Sequence, residues 1–338
     1  MLSAGIAQAL QQPGPSVWQQ RVARAAECRL PLFETTDALR LFDANVDGAS
    51  ERSSARLHVE LFGEYAVLSP FSEEALRECD AVAKALVDFG VRGVYLKHRV
   101  RGDLRRLDQR LLAADEPLLG SAAPEAIVVR ENGRSYHVNL SDGLSVGLFL
   151  DQRDNRSRLQ ADAAGQRVLN LFAYTCSFSV AAGLGGAAGV TSVDLSKRAL
   201  RRGDANLKLN QLDTAAHRLL KADAVQWLSR AAKRGPQFDW IVLDPPSFSS
   251  RGKSAFSVSR DYPKLLEQCL VLLEPGGRLL CITNHRRTSR HDFEHWCFVA
   301  AGTTGRKVRS EWMTPPVDCP QDNGDDSSTK ALLVELVA

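Results

Sequence analysis

Asp194, Asp223 and Asp244 each stand at or just beyond the end of a short apolar run, where a carboxylate would meet a ligand at a strand tip. Asp194 closes Gly189-Val190-Thr191-Ser192-Val193 and lies ~20 residues beyond an earlier run, Val168 to Phe172, the spacing of an acid that accepts from both ribose hydroxyls. Asp223, in Leu219-Leu220-Lys221-Ala222-Asp223-Ala224, is placed to accept from an adenine amino group. Asp244-Pro245-Pro246 follows Trp240-Ile241-Val242-Leu243. Its prolines fix the backbone and remove two N–H donors. The Asp and the bare carbonyls can then accept from an exocyclic amine, and Phe248 can stack on a planar base. A helix N-cap explains any one such aspartate. Two at consecutive strand ends, then Asp-Pro-Pro at the next, point to a nucleoside-bearing ligand beside a nucleobase.

Those residues need elements to hold them. Val168, Leu169, Leu171 and Phe172 form an apolar run of the kind a strand buried on both faces carries. Ala173-Tyr174-Thr175-Cys176-Ser177 is a tight turn of mostly small residues, and Phe178 to Ala188 reads as a buried helix. From about residue 145 onwards strand and helix alternate, the mark of a parallel sheet covered on both faces. The strands are expected at Val168–Phe172, Val190–Asp194, Arg218–Lys221, Trp240–Asp244, Arg278–Thr283, Lys307–Glu311 and Leu332–Val337. Between the last two lie Pro315-Pro316 and the acidic insert Asp318 to Asp326, with no helical segment, so those two strands should pair antiparallel.

Ahead of this comes a different pattern. Ser16 to Ala26 reads as a short amphipathic helix with Val17, Trp18 and Val22 on one side, followed by a less regular stretch. Leu57–Leu61 and Tyr65–Leu68 read as a hairpin turning near Gly63. Ser72 caps a helix carrying Glu73 and Glu74 in its first turn, burying Leu76, Ala83, Leu86 and Val87, and stopping at Gly90. Val91–Leu96 is another strand, and Leu104, Leu107, Leu111 and Leu112 mark a short helix. Asn132-Gly133 is the strongest short hairpin signal in the chain. The expected division is an N-terminal helical segment at 1–44, a small α+β domain at 45–125 and a large α/β domain at 126–338 entered through that hairpin.

The chain has 338 residues, 44% hydrophobic and 25% charged, ordinary for a globular protein. It shows neither an apolar run near the ~20 residues of a membrane span nor a basic-then-apolar leader, and a cytoplasmic protein is expected. Seven scattered cysteines without a CxxC pair argue against a disulfide framework and a cysteine zinc site. Gly183-Leu184-Gly185-Gly186-Ala187-Ala188 matches the dinucleotide string but stands at the far end of its helix, where it cannot present a helix N-terminus to pyrophosphate. His291-Asp292-Phe293-Glu294-His295 matches an inverted zinc-protease string with no further ligand nearby, and no metal is expected.

Several strings occur in a fixed order: Gly147 through Phe149-Leu150-Asp151-Gln152-Arg153-Asp154-Asn155-Arg156, then Asn170 to Ser179, Val193 to Leu200, Asp244 to Ser249, and Asp318-Cys319-Pro320. From about Ala38 to the C-terminus the chain resembles class I S-adenosylmethionine (AdoMet) methyltransferases. Within them it looks like the bacterial large-subunit ribosomal RNA enzymes that act on cytosine carbon 5 or guanine nitrogen 7. The resemblance implies a Rossmann-like seven-stranded α/β sheet behind a small α+β domain, with AdoMet as cofactor. It carries Gln152 and Arg153 over as cofactor-side residues, and with them Asn170, Phe172, Ala173, Tyr174, Asp194, Leu195, Ser196, Asp223, Ala224 and Asp244 make up the expected cofactor contacts. The target base would meet Asp244, Pro245, Pro246, Phe248 and Asn284. Two departures stand out: Cys176 occupies a turn position where glycine is common, and no RNA-binding PUA module is recognisable.

Cytosine carbon 5 is a poor nucleophile and is activated by a cysteine thiolate. The family's cysteine position here is Asn284, in Leu279-Leu280-Cys281-Ile282-Thr283-Asn284-His285-Arg286-Arg287. Strand alternation sends Cys281 to the opposite face. The stretch looks more like that of the guanine enzymes, whose ring nitrogen needs only positioning. Net charge is only +3, so local charge carries the partner argument. Arg251, Lys253 and Arg260 follow the Asp-Pro-Pro turn, and Arg286 and Arg287 follow the fifth strand, both suited to RNA phosphates. A run from Arg92 to Arg110 makes the small domain a second candidate RNA contact. A small-molecule or protein substrate, and a non-catalytic RNA-binding protein, remain alternatives at this level.

Overall fold

The computed structural model describes residues 14–47, 56–100, 113–213, 215–234, 237–246, 248–249, 256–320 and 329–337. Packing divides the chain into two compact units, 1–150 with 316–320, and 151–315 with 321–338. Among the described residues no helix is long and apolar enough to cross a membrane.

The first unit is built on a five-stranded sheet of β1 (Ala38–Asp43), β2 (Leu57–Phe62), β3 (Tyr65–Pro70), β4 (Gly93–Leu96) and β5 (Leu119–Gly120), in that order. Helices α1 (Val17–Cys28) and α2 (Glu73–Asp88) cover one face. Ser16 and Gln19 close a capping box at the start of α1. Ser72 caps α2, its Oγ accepting from the Ala75 N–H. In α1 the buried stripe is Trp18, Val22, Ala25 and Ala26, at helical spacing; Val17 falls off it and is 59% exposed.

The observed boundaries differ from 1–44, 45–125 and 126–338 for reasons of pairing and packing. The segment before residue 45 supplies α1 to the shared apolar core and β1 to the sheet, with Ala38 opposite Phe62. The hairpin of β6 (Ile127–Glu131) and β7 (Arg134–Val138) also belongs to the first unit. It is tied there by the Thr36–Glu131 bridge and by Asp37, whose carboxylate accepts from Arg130 N at 2.6 Å and Nε at 3.2 Å. Asn132 and Gly133 both take positive φ at its tip. Asp318, in the segment 316–320, is buried and accepts from Arg40 N at 2.8 Å. The helix marked by Leu104 to Leu112 lies outside the described residues.

The second unit is a seven-stranded sheet in the order β10 (His217–Lys221), β9 (Gly189–Asp194), β8 (Arg167–Leu171), β11 (Phe238–Leu243), β14 (Leu273–Thr283), β16 (Lys330–Val337), β15 (Lys307–Trp312). The five strands from β10 to β14 are parallel, and β16 runs antiparallel to both neighbours. Its helices are α3 (Arg153–Asp162), α4 (Ser177–Leu184), α5 (Lys197–Leu209), α6 (Ala224–Arg234), α7 (Val258–Leu272) and α8 (Arg290–Thr303). Strand alternation makes two cores: Leu169, Leu171, Ile241, Leu243, Leu279 and Cys281 face one way, and Val168, Trp240, Val242, Leu280 and Ile282 the other. The chain leaves β8 towards β9 on one side and reaches β11 on the other, so the crevice at their carboxyl ends is a topological switch point.

Candidate functional site

The carboxyl ends of the five parallel strands bring the sequence-derived residues to one edge. Phe172 to Cys176 follow β8, Asp194 ends β9, Asp223 follows β10, Asp244 follows β11 and Asn284 follows β14. The turn after β8 takes an unusual path: Phe172, Tyr174 and Cys176 all have positive φ, at 57°, 48° and 60°. Left-handed backbone in non-glycine residues costs roughly 1 kcal/mol or more each, so something must hold the turn. Asp194 is one fastener. Its Oδ2 accepts from Tyr174 N at 2.9 Å and its Oδ1 from Ser196 N at 2.7 Å. Val193 O accepts from Ala173 N at 3.0 Å, and the buried Asn206 amide donates to Thr175 O at 3.0 Å. Each Asp194 oxygen has a second acceptor site left for a ligand hydroxyl. Leu195, next in the chain, is 45% exposed, an apolar surface at the same rim.

Other predicted contacts are placed differently. Asn170 is buried and its amide donates to Ser179 Oγ at 2.8 Å, which in turn meets Ser192 Oγ at 2.7 Å. Its side chain belongs to the packing of β8, β9 and α4 rather than to the turn. Asp223 caps α6, its Oδ1 accepting from Gln226 N at 3.1 Å, which leaves the second oxygen for a ligand amine. Ala224 beside it is buried, and Ser196 caps α5 through Ala199 N. Gln152 and Arg153 are buried at the start of α3, with Gln152 Oε1 accepting from Asn155 Nδ2 at 2.7 Å.

Asp244 is partly buried, Pro245 buried and Pro246 exposed. Desolvation first, and then the carboxylate of Asp151, push the Asp244 carboxyl up to about 7. Near neutral pH it is therefore poised between acceptor and donor, and a cation nearby would favour its charged form. Asp151 is not among the sequence-derived residues although it lies inside the Phe149 to Arg156 string; no spacing rule brings it to Asp244. Phe248 lies in β12 (Phe248–Ser249), which pairs with β13 (Phe256–Ser257). Asn284 is exposed. Cys281 is fully buried, and burial and the neighbouring Cys297 push its thiol well above the ordinary range, the opposite of the lowered value of a thiolate nucleophile.

Of the basic residues, Arg251 and Lys253 lie outside the described residues. Arg260 is engaged with Asp261 by two 2.8 Å hydrogen bonds, while Arg286 and Arg287 are exposed after β14. The Gly183 to Ala188 string ends α4: Gly186 takes φ +79°, and a Cβ on Gly185 would press into Gln160 of α3. Among the described residues no group of three or more His, Cys, Asp or Glu is placed to hold a metal. Glu294 accepts instead from Ser310 Oγ at 2.6 Å.

The donor set suits a nucleoside cofactor without phosphate. Acceptors stand at three strand ends, an apolar shelf lies beside one of them, and the turn after β8 carries neither glycine nor a basic residue. Comparisons with known proteins agree. Ribosomal RNA large subunit methyltransferase K of Neisseria meningitidis serogroup B is 35% identical over 257 residues, 74% of this chain and 70% of that one. YwbD of Bacillus subtilis (strain 168) is 33% identical over 304 residues, 88% of this chain and 74% of that one. The crystal structure of SMU.776 complexed with SAH superposes with a TM-score of 0.82 at 31% identity, covering 99% of this chain and 83% of that one. Residues 58–300 match the S-adenosylmethionine-dependent methyltransferase family, to which this chain belongs as an AdoMet-dependent enzyme.

Proposed function

We propose that the chain methylates a nucleobase of large-subunit (23S) ribosomal RNA, at a guanine nitrogen. AdoMet supplies an electrophilic methyl on a positively charged sulfur. In this reading Asp194 accepts from the ribose hydroxyls, Leu195 lies against the adenine and Asp223 accepts from its amino group. The turn of Phe172, Ala173 and Tyr174, with Gln152 and Arg153, encloses the remainder. Asp244 and the carbonyls of the Asp-Pro-Pro turn accept from the exocyclic amine of the target, Phe248 stacks on it and Asn284 orients it. The lone pair of the ring nitrogen attacks in line, the methyl–sulfur bond breaks with its electron pair going to sulfur, neutral S-adenosylhomocysteine (SAH) leaves, and the positive charge passes to the methylated base. A base in a duplex must be unstacked to enter such a crevice. Arg286 and Arg287, with Arg251, Lys253 and Arg260, then meet phosphates. The relatives' ribosomal RNA names support the substrate, and a cytoplasmic location goes with it.

The observation that carries the nitrogen assignment is the pairing of an exposed Asn284 with a fully buried Cys281. Without a thiolate at the base, carbon-5 chemistry has no nucleophile to start it. The test is methyl transfer from labelled AdoMet to ribosomal RNA, with mass mapping of the product. The expected product is a methylated guanine, with Cys281→Ser retaining most activity. A 5-methylcytosine product, or a stable adduct with 5-fluorocytosine RNA that disappears in Cys281→Ser, refutes the assignment.

A further inference from the structure

Tyr262 of α7 is fully buried, and its hydroxyl lies 3.2 Å from the Leu243 carbonyl oxygen and 3.1 Å from that of Ile282. These carbonyls come from neighbouring parallel strands at nearly the same level, since Leu243 pairs with Cys281. Leu243 immediately precedes Asp244, and Ile282 stands two residues before Asn284. A phenol has one proton to donate and here shares it between two acceptors. The ring is gripped by Phe293, edge-on at 5.2 Å, and by Trp296 at 6.4 Å. Burial, with Cys281, Cys297 and Asp244 close by, holds the phenol well above its ordinary pKa, so it stays a donor at working pH.

Leu243–Cys281 is the last register pair of the β11–β14 ladder. Pro245 and Pro246 have no N–H and cannot extend it. Beyond that level no ladder bond joins β11 to β14, whose own end stays paired with β16 as far as Thr283 and Lys330, so the end of β11 would be free to splay from it, and the target base must sit between what the two strand ends carry. We propose that Tyr262 is a positioning residue, its hydroxyl tying the end of β11 to that of β14 and setting the spacing between the Asp244-Pro245-Pro246 turn and Asn284. This rests on reading those residues as the base-contacting pair. Misplacement of reacting groups by ~1 Å can cost ~10²-fold in rate, so a fastener at this level reports in turnover before cofactor binding.

Tyr262→Phe keeps the ring and removes only the hydroxyl. Leu270→Val, farther along α7 in the same core, serves as a control for stability alone. With both variants fully folded, Tyr262→Phe should lower kcat on ribosomal RNA at least tenfold while its SAH Kd stays within twofold of wild type. Leu270→Val should melt earlier with kcat within twofold. Amide exchange at Asp244 and across 284–288 should quicken in Tyr262→Phe and not in Leu270→Val. A tyrosine that merely fills the core leaves exchange unchanged at both strand ends, and that result overturns the proposal whatever the turnover. If wild type transfers no methyl to RNA, the substrate reading fails by itself and the exchange comparison still decides the role of Tyr262.

Discussion

Gly203 in α5 faces Cys176 so closely that a Cβ there would overlap the Cys176 Sγ and come within 3.0 Å of its Cβ. Cys176 is fully buried, so its sulfur cannot swing out to solvent. Replacing a mid-helix glycine with alanine ordinarily stabilises by about 1 kcal/mol. Overfilling a packed core costs roughly 1–3 kcal/mol, so Gly203→Ala should be neutral to destabilising by about 2 kcal/mol in the wild-type background. Cys176→Gly removes the obstructing atoms and relieves a left-handed residue at φ 60°, ψ 30°. That gain is offset by the loss of a small buried side chain, so the single variant should lie within about 1 kcal/mol of wild type. In that background Gly203→Ala should recover its helix-propensity gain. The double-mutant cycle should therefore show a favourable coupling of about 1–3 kcal/mol. Urea unfolding of the four proteins measures it, and SAH binding reads the same strain at the Tyr174–Asp194 hydrogen bond. If Gly203→Ala has the same effect in both backgrounds to within about 0.5 kcal/mol, the reasoning about this turn is wrong.

Asp244 makes the unliganded protein less stable as pH rises. Its folded carboxyl is raised to about 7 from 3.8, so its contribution is complete below the unfolded value and lost as pH climbs through the folded one, up to about 4 kcal/mol in all. Thermal melting should show that loss in wild type and little of it in Asp244→Asn; parallel pH profiles would count against the raised carboxyl. Asp194→Ala removes the acceptor for the Tyr174 and Ser196 amides, hydrogen bonds to charge worth about 1.5–3 kcal/mol each, and should weaken SAH at least tenfold by calorimetry. Undiminished SAH affinity in the folded variant would remove Asp194 from the cofactor site. Arg286→Glu with Arg287→Glu should weaken RNA binding for all sequences and flatten its salt dependence by roughly 0.7 for each phosphate no longer neutralised, with SAH affinity intact. An unchanged salt slope would place the RNA elsewhere.

Elements with a single clear period can be read from residue types alone. The strands expected at Val168–Phe172 and Trp240–Asp244 appear as Arg167–Leu171 and Phe238–Leu243, with Phe172 turning off at positive φ and Asp244 standing just beyond its strand, and the last two strands pair antiparallel as local patterning suggests. Ala38–Asp43 is not legible as a strand because Arg40 and Asp43 interrupt a short apolar run whose side chains are nearly all buried, so neither alternation nor a continuous apolar stretch marks it. The site divides along the same line. Asp194 and Asp223 announce themselves by standing at strand ends, and their capping and turn-holding bonds occupy only part of each carboxylate, so the proposed ligand contact and the cap are not alternatives. For Asn170, adjacency to a turn says nothing about which way a strand side chain points; here its amide donates to Ser179, which in turn meets Ser192. Asp151 and Tyr262 carry no local signal because their partners are fixed by the sheet order, which joins β8 to β11 and β11 to β14 across long stretches of sequence. Cys176 is the sharpest case. As a departure from the usual glycine it hints at a degenerate turn, whereas the fold keeps the left-handed path and makes room for the sulfur with a glycine one helix away. A substitution at one strand end is thus read correctly only with the neighbour that absorbs it, and that neighbour is chosen by packing rather than by proximity in the chain.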